Sequence, residues 1–159
     1  MQLPYVEDGN LHIENACFPL KNFSYDAMLE LIPPEKKVKV SIDHRINRVE
    51  FAFPNSSGRI EAIFLFDSMQ VVKGTYVFGS LLFTEMHFQL YQQVHLDALM
   101  EDYGQVQLIE CDDIQLAAFN SYYLAEIDKG LVKCLWFINP VVIKISDDPF
   151  YTALREIFE

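Results

Sequence analysis

The chain has 159 residues, of which 51% are hydrophobic and 14% aromatic, and its formal net charge is −11. This length predicts one globular domain over residues 1–159, and the apolar content excludes intrinsic disorder and any need for a stabilising metal or disulfide. The shortage of lysine and arginine disfavours nucleic-acid binding, because clustered basic side chains are needed to neutralise phosphates.

The cysteines and the amino-terminal sequence favour a cytoplasmic location. Cys17, Cys111 and Cys134 lack CxxC spacing and lie in mainly apolar sequence, which is typical of reduced thiols. The first ten residues have no basic region followed by an apolar core, and no apolar run is long enough to span a bilayer. We therefore expect a soluble, cytoplasmic protein.

The first half of the chain is predicted to form one helix and several strands. Ser24 can cap a short amphipathic helix that Pro33 and Pro34 end. After this helix, apolar residues alternate with polar ones, which is the pattern of strands with one wet face. Strands are predicted over residues 38–42, 48–53, 59–66 and 71–83, with a hairpin turn at 43–47 and interruptions at Gly74 and Gly79.

Residues 84–103 allow two interpretations. As one helix, begun by Thr84 and ended by Gly104, the segment contains strong helix formers and no internal glycine or proline. In the alternative, a strand is followed by a shorter helix from about His95. We favour the single helix, which would place Glu85 at its amino terminus, where the helix dipole stabilises a carboxylate.

The remainder of the chain is predicted to be antiparallel β-structure followed by a helix. Alternating patterns predict strands over residues 106–110, 114–119, 122–127, 131–138 and 141–145. Asp148 before Pro149 can begin a terminal helix. The fold class predicted is therefore α+β, a single domain with a mainly antiparallel sheet of six to eight strands packed by two or three helices.

No motif for catalysis or cofactor binding appears in the sequence. GxGxxG, GxxxxGK, GxSxG and HExxH are all absent, and the four histidines lack the spacing of metal ligands. We therefore predict no enzyme activity, no cofactor and no metal. The charged residues around Asp43, Arg45 and Arg48 could hold an anion, but an exposed loop with local ion pairing is the interpretation that we favour.

One stretch of 55 residues, Gly74 to Asp128, contains no lysine or arginine but has nine carboxylates. Asp97 and Glu101 fall four residues apart, on one face of a predicted helix, where like charges destabilise by a few tenths of a kcal/mol. Carboxylates at the end of that helix also oppose its dipole. These acids could be solvated, could pair with bases from the first half of the chain, or could bind a basic partner.

The hypothesis with the most functional content is a protein–protein interaction module. A strongly acidic surface attracts a basic protein and can occupy a groove made for phosphates. We hypothesise an inhibitor or immunity-type protein that blocks a basic enzyme such as a nuclease toxin, with tyrosines as aromatic anchors. The predicted partner-binding residues are Asp97, Glu101, Asp102, Tyr103, Glu110, Asp112, Asp113, Tyr122 and Tyr123.

A second hypothesis is a domain that binds, or acts on, a small apolar or aromatic ligand. Both faces of the predicted hairpin over residues 122–138 are largely apolar and rich in aromatic residues. Such strands could line a cavity, although strands of this kind are also covered by helices.

Overall fold

A computed structural model describes most of the chain, namely residues 4–13, 16–21, 23–24, 27, 39–54, 56–104, 106–111, 113–119, 122–145, 147 and 149–158. Strands account for 64% of these residues, and three short helices are present among them. The main sheet has an eight-strand path with a ninth strand paired beside it, and it is mostly antiparallel. The predicted antiparallel character and strand number are confirmed.

The strands of the first part of the chain are β1 (Tyr5–Glu7), β2 (Asn10–Ile13), β3 (Ala16–Pro19), β4 (Phe23–Ser24), β5 (Lys39–Asp43), β6 (Arg48–Pro54), β7 (Gly58–Phe66), β8 (Met69–Val72), β9 (Thr75–Phe78) and β10 (Ser80–His95). The elements that follow are α1 (Leu96–Tyr103), β11 (Val106–Cys111), β12 (Ile114–Phe119), β13 (Tyr123–Asp128), β14 (Leu131–Ile138), α2 (Pro140–Ile145) and α3 (Pro149–Phe158). None of the helices in the described residues is long and apolar enough to cross a membrane.

The chain divides into two compact units, which are described separately. Unit 1 comprises Met1–Pro54 and Glu61–Thr84, and unit 2 comprises Asn55–Ile60 and Glu85–Glu159. Strands β7 and β10 each contribute residues to both units. That residues 1–159 form a single domain remains a prediction.

Unit 1 is built around a group of buried phenylalanines. The ring of Phe18 stacks on that of Phe83 with centroids 5.6 Å apart, and Phe64 meets Phe83 edge-on at 5.4 Å. Such pairs stabilise beyond the area they bury. The predicted hairpin is confirmed, since β5 pairs with β6, and the turn contains the expected local ion pair between Arg45 and Asp43, 3.1 Å apart.

The predicted helix after Ser24 cannot be compared with the structure over most of its length. Ser24 itself lies in β4 and pairs with Ser80, and Ala27 is helical. The rest of that helix falls outside the described residues. The predicted strand over residues 71–83 is present in pieces: β8 and β9 form a hairpin around Gly74, and β10 begins after Gly79.

Unit 2 contains an antiparallel sheet in the order β11-β12-β13-β14-β10. Because side chains alternate between the faces of a strand, Phe119, Tyr123 and Phe137 share one face, which we call the tyrosine face. Ala118 and Leu124 lie on the opposite face, which we call the leucine face. There they pack with residues of β14, α2 and α3 in one cluster, Ile138, Ile143 and Leu154.

The favoured prediction of one helix over residues 84–103 is wrong, and the alternative is correct. Strand β10 runs through residue 95, and only the last eight residues of the segment are helical. Pairing of β10 with β14 satisfies backbone groups that a helix would have satisfied locally. Glu85 is therefore a buried strand residue, 8% exposed, rather than the first acid of a helix.

The predicted strand over residues 141–145 is also wrong, because these residues form helix α2. The side-chain oxygen of Asn139 accepts a hydrogen bond from the amide of Val141 at 3.0 Å. Its carbonyl oxygen accepts bonds from Val142 and Ile143. Pro140 sits at the first helical position, where it has no amide hydrogen to leave unpaired. This cap overrides the β-propensity of the Val-Val-Ile sequence.

Replacing the capping residue tests this account. We expect Asn139→Ala to lower the free energy of unfolding by about 1–2 kcal/mol, because the oxygen that accepts from Val141 is removed. Asn139→Ser retains a capping oxygen and should lose less. Urea unfolding followed by circular dichroism measures both values, and equal losses in the two variants would show that the cap does not begin α2.

Candidate partner-binding surface

Helix α1 packs on the tyrosine face of unit 2 through Tyr103. Leu99 is fully buried, and the ring of Tyr103 stacks on that of Tyr123 with centroids 4.4 Å apart and planes 17° apart. Tyr103 also meets Phe119 edge-on at 5.5 Å. The helix ends at Gly104, which has a φ of 89° and donates its N–H to the carbonyl of Met100. These contacts determine which residues of α1 face the solvent.

The solvent side of α1 carries Asp97, Glu101 and Asp102, all exposed. Asp97 lies in the first turn, where the helix dipole favours a negative charge. Glu101 and Asp102 lie in the last turn, which contains no basic residue, so the dipole opposes them. Asp97 and Glu101 thus share a face at a spacing of four residues, as the sequence predicts.

Strand β11 adds a further carboxylate on the same face. Val106 pairs with Phe119, so Val106, Leu108 and Glu110 point to the tyrosine face. Glu110 is exposed, and Leu108 is 54% exposed. We call Asp97, Glu101, Asp102 and Glu110 the acidic surface. Among the described residues, none of these four forms an ion pair with lysine or arginine.

The other predicted acids lie at the loop between β11 and β12. Asp113 is exposed in this turn, and Asp112 falls outside the described residues. A strand rises about 3.3 Å per residue, so Glu110 lies about 13 Å along β11 from Val106, and the turn lies farther still. Asp113 lies beyond the end of β11 and is not counted in the acidic surface.

The tyrosines do not form the group of anchors that the sequence predicts. Tyr123 is 1% exposed and belongs to the core, so it cannot contact a partner on the surface. Tyr122 packs on the leucine face beside Leu124. Only half-buried Tyr103 lies at the acidic surface. Sequence reasoning missed Met100 and Leu108, 36% and 54% exposed, which are the apolar residues displayed among the carboxylates.

Burial keeps two of these tyrosines neutral. Burial raises the pKa of Tyr103, and the nearby Tyr123 and Asp102 raise it further. Burial likewise raises the pKa of Tyr123. The two stacked tyrosines are thus kept in the neutral, protonated form, because a low-dielectric environment disfavours the charged form.

A second group of polar residues lies on the leucine face, and sequence reasoning missed it because it assigned Glu85 and His87 to a helix. The imidazole Nε2 of His87 is 3.2 Å from a carboxylate oxygen of Glu85, and its ring stacks on Trp136 with centroids 5.4 Å apart. The indole N–H of Trp136 donates to the sulfur of Cys134 at 2.8 Å. The described residues contain no group of three or more potential ligands that could hold a metal ion.

The ligand-binding hypothesis requires a cavity lined by aromatic rings. A surface pocket of about 250 Å³ lies on the β5–β6 hairpin of unit 1 and is lined by Ser41, Ile42, Asp43, Arg48 and Glu50. This lining contains no aromatic ring, so the pocket does not supply the cavity that the hypothesis needs.

Comparison with known proteins gives no relatives: no family model, curated protein or solved structure matches the chain.

The raised pKa values of Tyr103 and Tyr123 predict how stability depends on pH. The unfolded chain releases these protons near pH 10, whereas the folded chain retains them, so the contribution is complete below pH 10 and is lost as the pH rises further. The free energy of unfolding should fall by up to about 1.4 kcal/mol per pH unit for each tyrosine.

Urea unfolding between pH 9 and 11.5 measures this slope. In the double variant Tyr103→Phe, Tyr123→Phe the decline should be shallower. Tyr91→Phe is the control, because Tyr91 is 60% exposed. A slope unchanged in the double variant would contradict the prediction.

Proposed function

We propose that the protein is an acidic interaction module that binds a basic protein, most concretely an inhibitor or immunity-type protein that blocks a basic enzyme such as a nuclease toxin. The observation that carries this proposal is the acidic surface: four exposed carboxylates on α1 and β11 that no basic side chain of the described residues neutralises.

The distribution of charge supports the proposal. Residues 81–159 hold thirteen acidic and four basic side chains, a net charge of −9, whereas residues 1–80 hold ten and eight, a net charge of −2. The field of such a surface accelerates the encounter with a cationic protein and disfavours like-charged partners. A basic partner would also remove the repulsion between Asp97 and Glu101 and the conflict of Glu101 and Asp102 with the helix dipole.

The form of the surface fits the same function. Exposed Met100 and Leu108 add apolar contact area on the same two elements, and methionine is enriched in protein interfaces. We place the protein in the cytoplasm, where an inhibitor would meet a toxin before it acts on the producing cell. We also propose that the sheet and its helices form one α+β domain.

Neutralising the acidic surface tests this function. The test variant carries Asp97→Asn, Glu101→Gln, Asp102→Asn and Glu110→Gln. The control variant carries the same change of four charges at exposed carboxylates elsewhere, Glu7→Gln, Asp8→Asn, Asp128→Asn and Glu156→Gln. Binding to the product of the adjacent gene, and to a panel of purified basic nucleases, is measured by calorimetry at increasing salt concentration.

We expect the test variant to lose affinity by about tenfold or more, since exposed charge pairs each contribute about 0.2–1 kcal/mol. The control variant should lose much less, and the affinity of the unmodified protein should fall as salt rises. Equal losses in the two variants would show that net charge, rather than this surface, causes binding. Absence of binding to every basic protein would overturn the proposed function.

A further inference from the structure

Strand β11 is a terminal strand of the main sheet, and the part of the chain that the structure describes places no strand beyond it. Its ladder with β12 is continuous from Val106↔Phe119 to Cys111↔Ile114, without a bulge. The ladders of β10 and β13 with β14, in contrast, each contain a register shift. β11 thus presents a regular edge of six residues.

The loop between β11 and β12 determines which backbone groups face outward. Only two residues separate the paired Cys111 and Ile114. In a hairpin with so short a loop, the two residues of the closing pair bond each other through both their N–H and their C=O groups. Hydrogen-bonded and non-hydrogen-bonded pairs alternate along an antiparallel ladder. The N–H and C=O groups of Val106, Leu108 and Glu110, which belong to the non-hydrogen-bonded pairs, therefore point away from β12. These are the groups that an added strand would bond.

Of the features by which edge strands avoid pairing, the sequence of β11 has one acidic residue, Glu110, but neither lysine nor proline. Its sequence is Val-Gln-Leu-Ile-Glu-Cys, and Leu108 is 54% exposed. The other terminal strand of the path, β5, carries Lys39 and ends at the ion pair of Asp43 with Arg45. Of the two terminal strands of this path, β11 therefore has the edge better suited to pairing.

We propose that an extended basic segment of the partner pairs with the edge of β11 and continues the sheet of unit 2. This inference rests on the proposed function and adds the mode of binding. Charge complementarity identifies the occupant. Glu110 of β11 and helix α1, which carries Glu101 and Asp102, lie on the tyrosine face, and every second side chain of the segment would point to that face.

A second copy of this chain is disfavoured as the occupant. Pairing two β11 strands would bring together two chains that each carry a net charge of −11, and would place the acidic surfaces beside one another. Like charges placed opposite each other destabilise an antiparallel pair. A basic segment replaces this repulsion with attraction.

The faces of the sheet specify the pattern of the segment. Segment residues on the tyrosine face would lie beside Leu108 and Glu110, on the side that carries the carboxylates of α1, so lysine or arginine, with its apolar stem and charged end, fits there. Residues on the leucine face would lie beside Ile109, which packs against the cluster of α2 and α3, so apolar residues fit there. The segment recognised should therefore alternate basic and apolar residues.

A peptide of seven residues, Lys-Val-Lys-Val-Lys-Val-Lys with blocked termini, serves as the probe. The matched control is the same peptide with an N-methyl group on every backbone nitrogen, which keeps the charge and side chains but removes the N–H donors of both edges and so prevents strand pairing. Affinity is measured by fluorescence anisotropy at concentrations where both peptides are monomeric. Amide hydrogen exchange of the ¹⁵N-labelled protein is followed by NMR.

We expect the unmodified peptide to slow exchange at the amides of Val106, Leu108 and Glu110 by about tenfold or more, and the N-methylated peptide to bind at least about tenfold more weakly. Equal binding of the two peptides would overturn strand pairing and leave an electrostatic interaction, so the proposed function would stand. Binding of a basic protein without protection of β11 would likewise overturn the pairing alone. Failure of every basic protein and peptide to bind would overturn both.

Two substitutions at one exposed position provide an independent test on the full chain. Leu108→Lys places a positive charge on the edge, as natural edge strands do, and should weaken peptide binding by about tenfold. Leu108→Thr keeps a neutral residue of high β-propensity and should preserve binding within about threefold. If both variants bind the peptide as the unmodified protein does, the segment does not pair with β11.

Discussion

The stacking of Tyr103 on Tyr123 fixes the position of helix α1, and the display of charge in unit 2 depends on it. An eight-residue helix has little stability of its own, so its orientation is set by the side chains that it buries. Leu99 and Tyr103 are those side chains, and both point to the sheet. The carboxylates are consequently presented to solvent. The tyrosine that the sequence suggested as an anchor for a partner, Tyr123, instead anchors the helix.

The acidic surface carries local costs that the protein itself does not offset in its described part. Asp97 and Glu101 repel one another, and Glu101 and Asp102 oppose the dipole of α1. Each effect amounts to only a few tenths of a kcal/mol, so the buried aromatic contacts of the sheet can sustain all of them. Binding of a cation to such a surface is favoured in two ways, because it removes the repulsion between the carboxylates and adds attraction to them. The regular edge of β11 carries Glu110, one of the four residues of this surface.

Sequence reasoning succeeded where one pattern had one structural solution. The alternation in β5, β6 and β11 to β14 predicted strands that the structure contains, and Pro149 correctly indicated α3. It failed where local preference and tertiary pairing disagree. β10 contains strong helix formers, yet the residues of β14 that pair with it lie 36 to 53 positions later in the chain, and that pairing is not visible locally. Helix α2 has the composition of a strand but follows an Asn-Pro cap. The carboxylates of the acidic surface could be found in the sequence by counting charges. The exposure of Leu108 could not, because it depends on which strand is terminal, and only the fold shows that.

Strands β7 and β10 pass from one compact unit to the other, and the boundaries at Pro54, Ile60 and Thr84 mean that the chain crosses between the units three times. No single cut of the polypeptide separates them, so neither unit can be produced as a simple fragment by truncation. Each unit is complete only after distant segments have met, and such non-local closure slows folding. During synthesis on the ribosome, residues 55–60 must wait for the second half of the chain before their own unit can close.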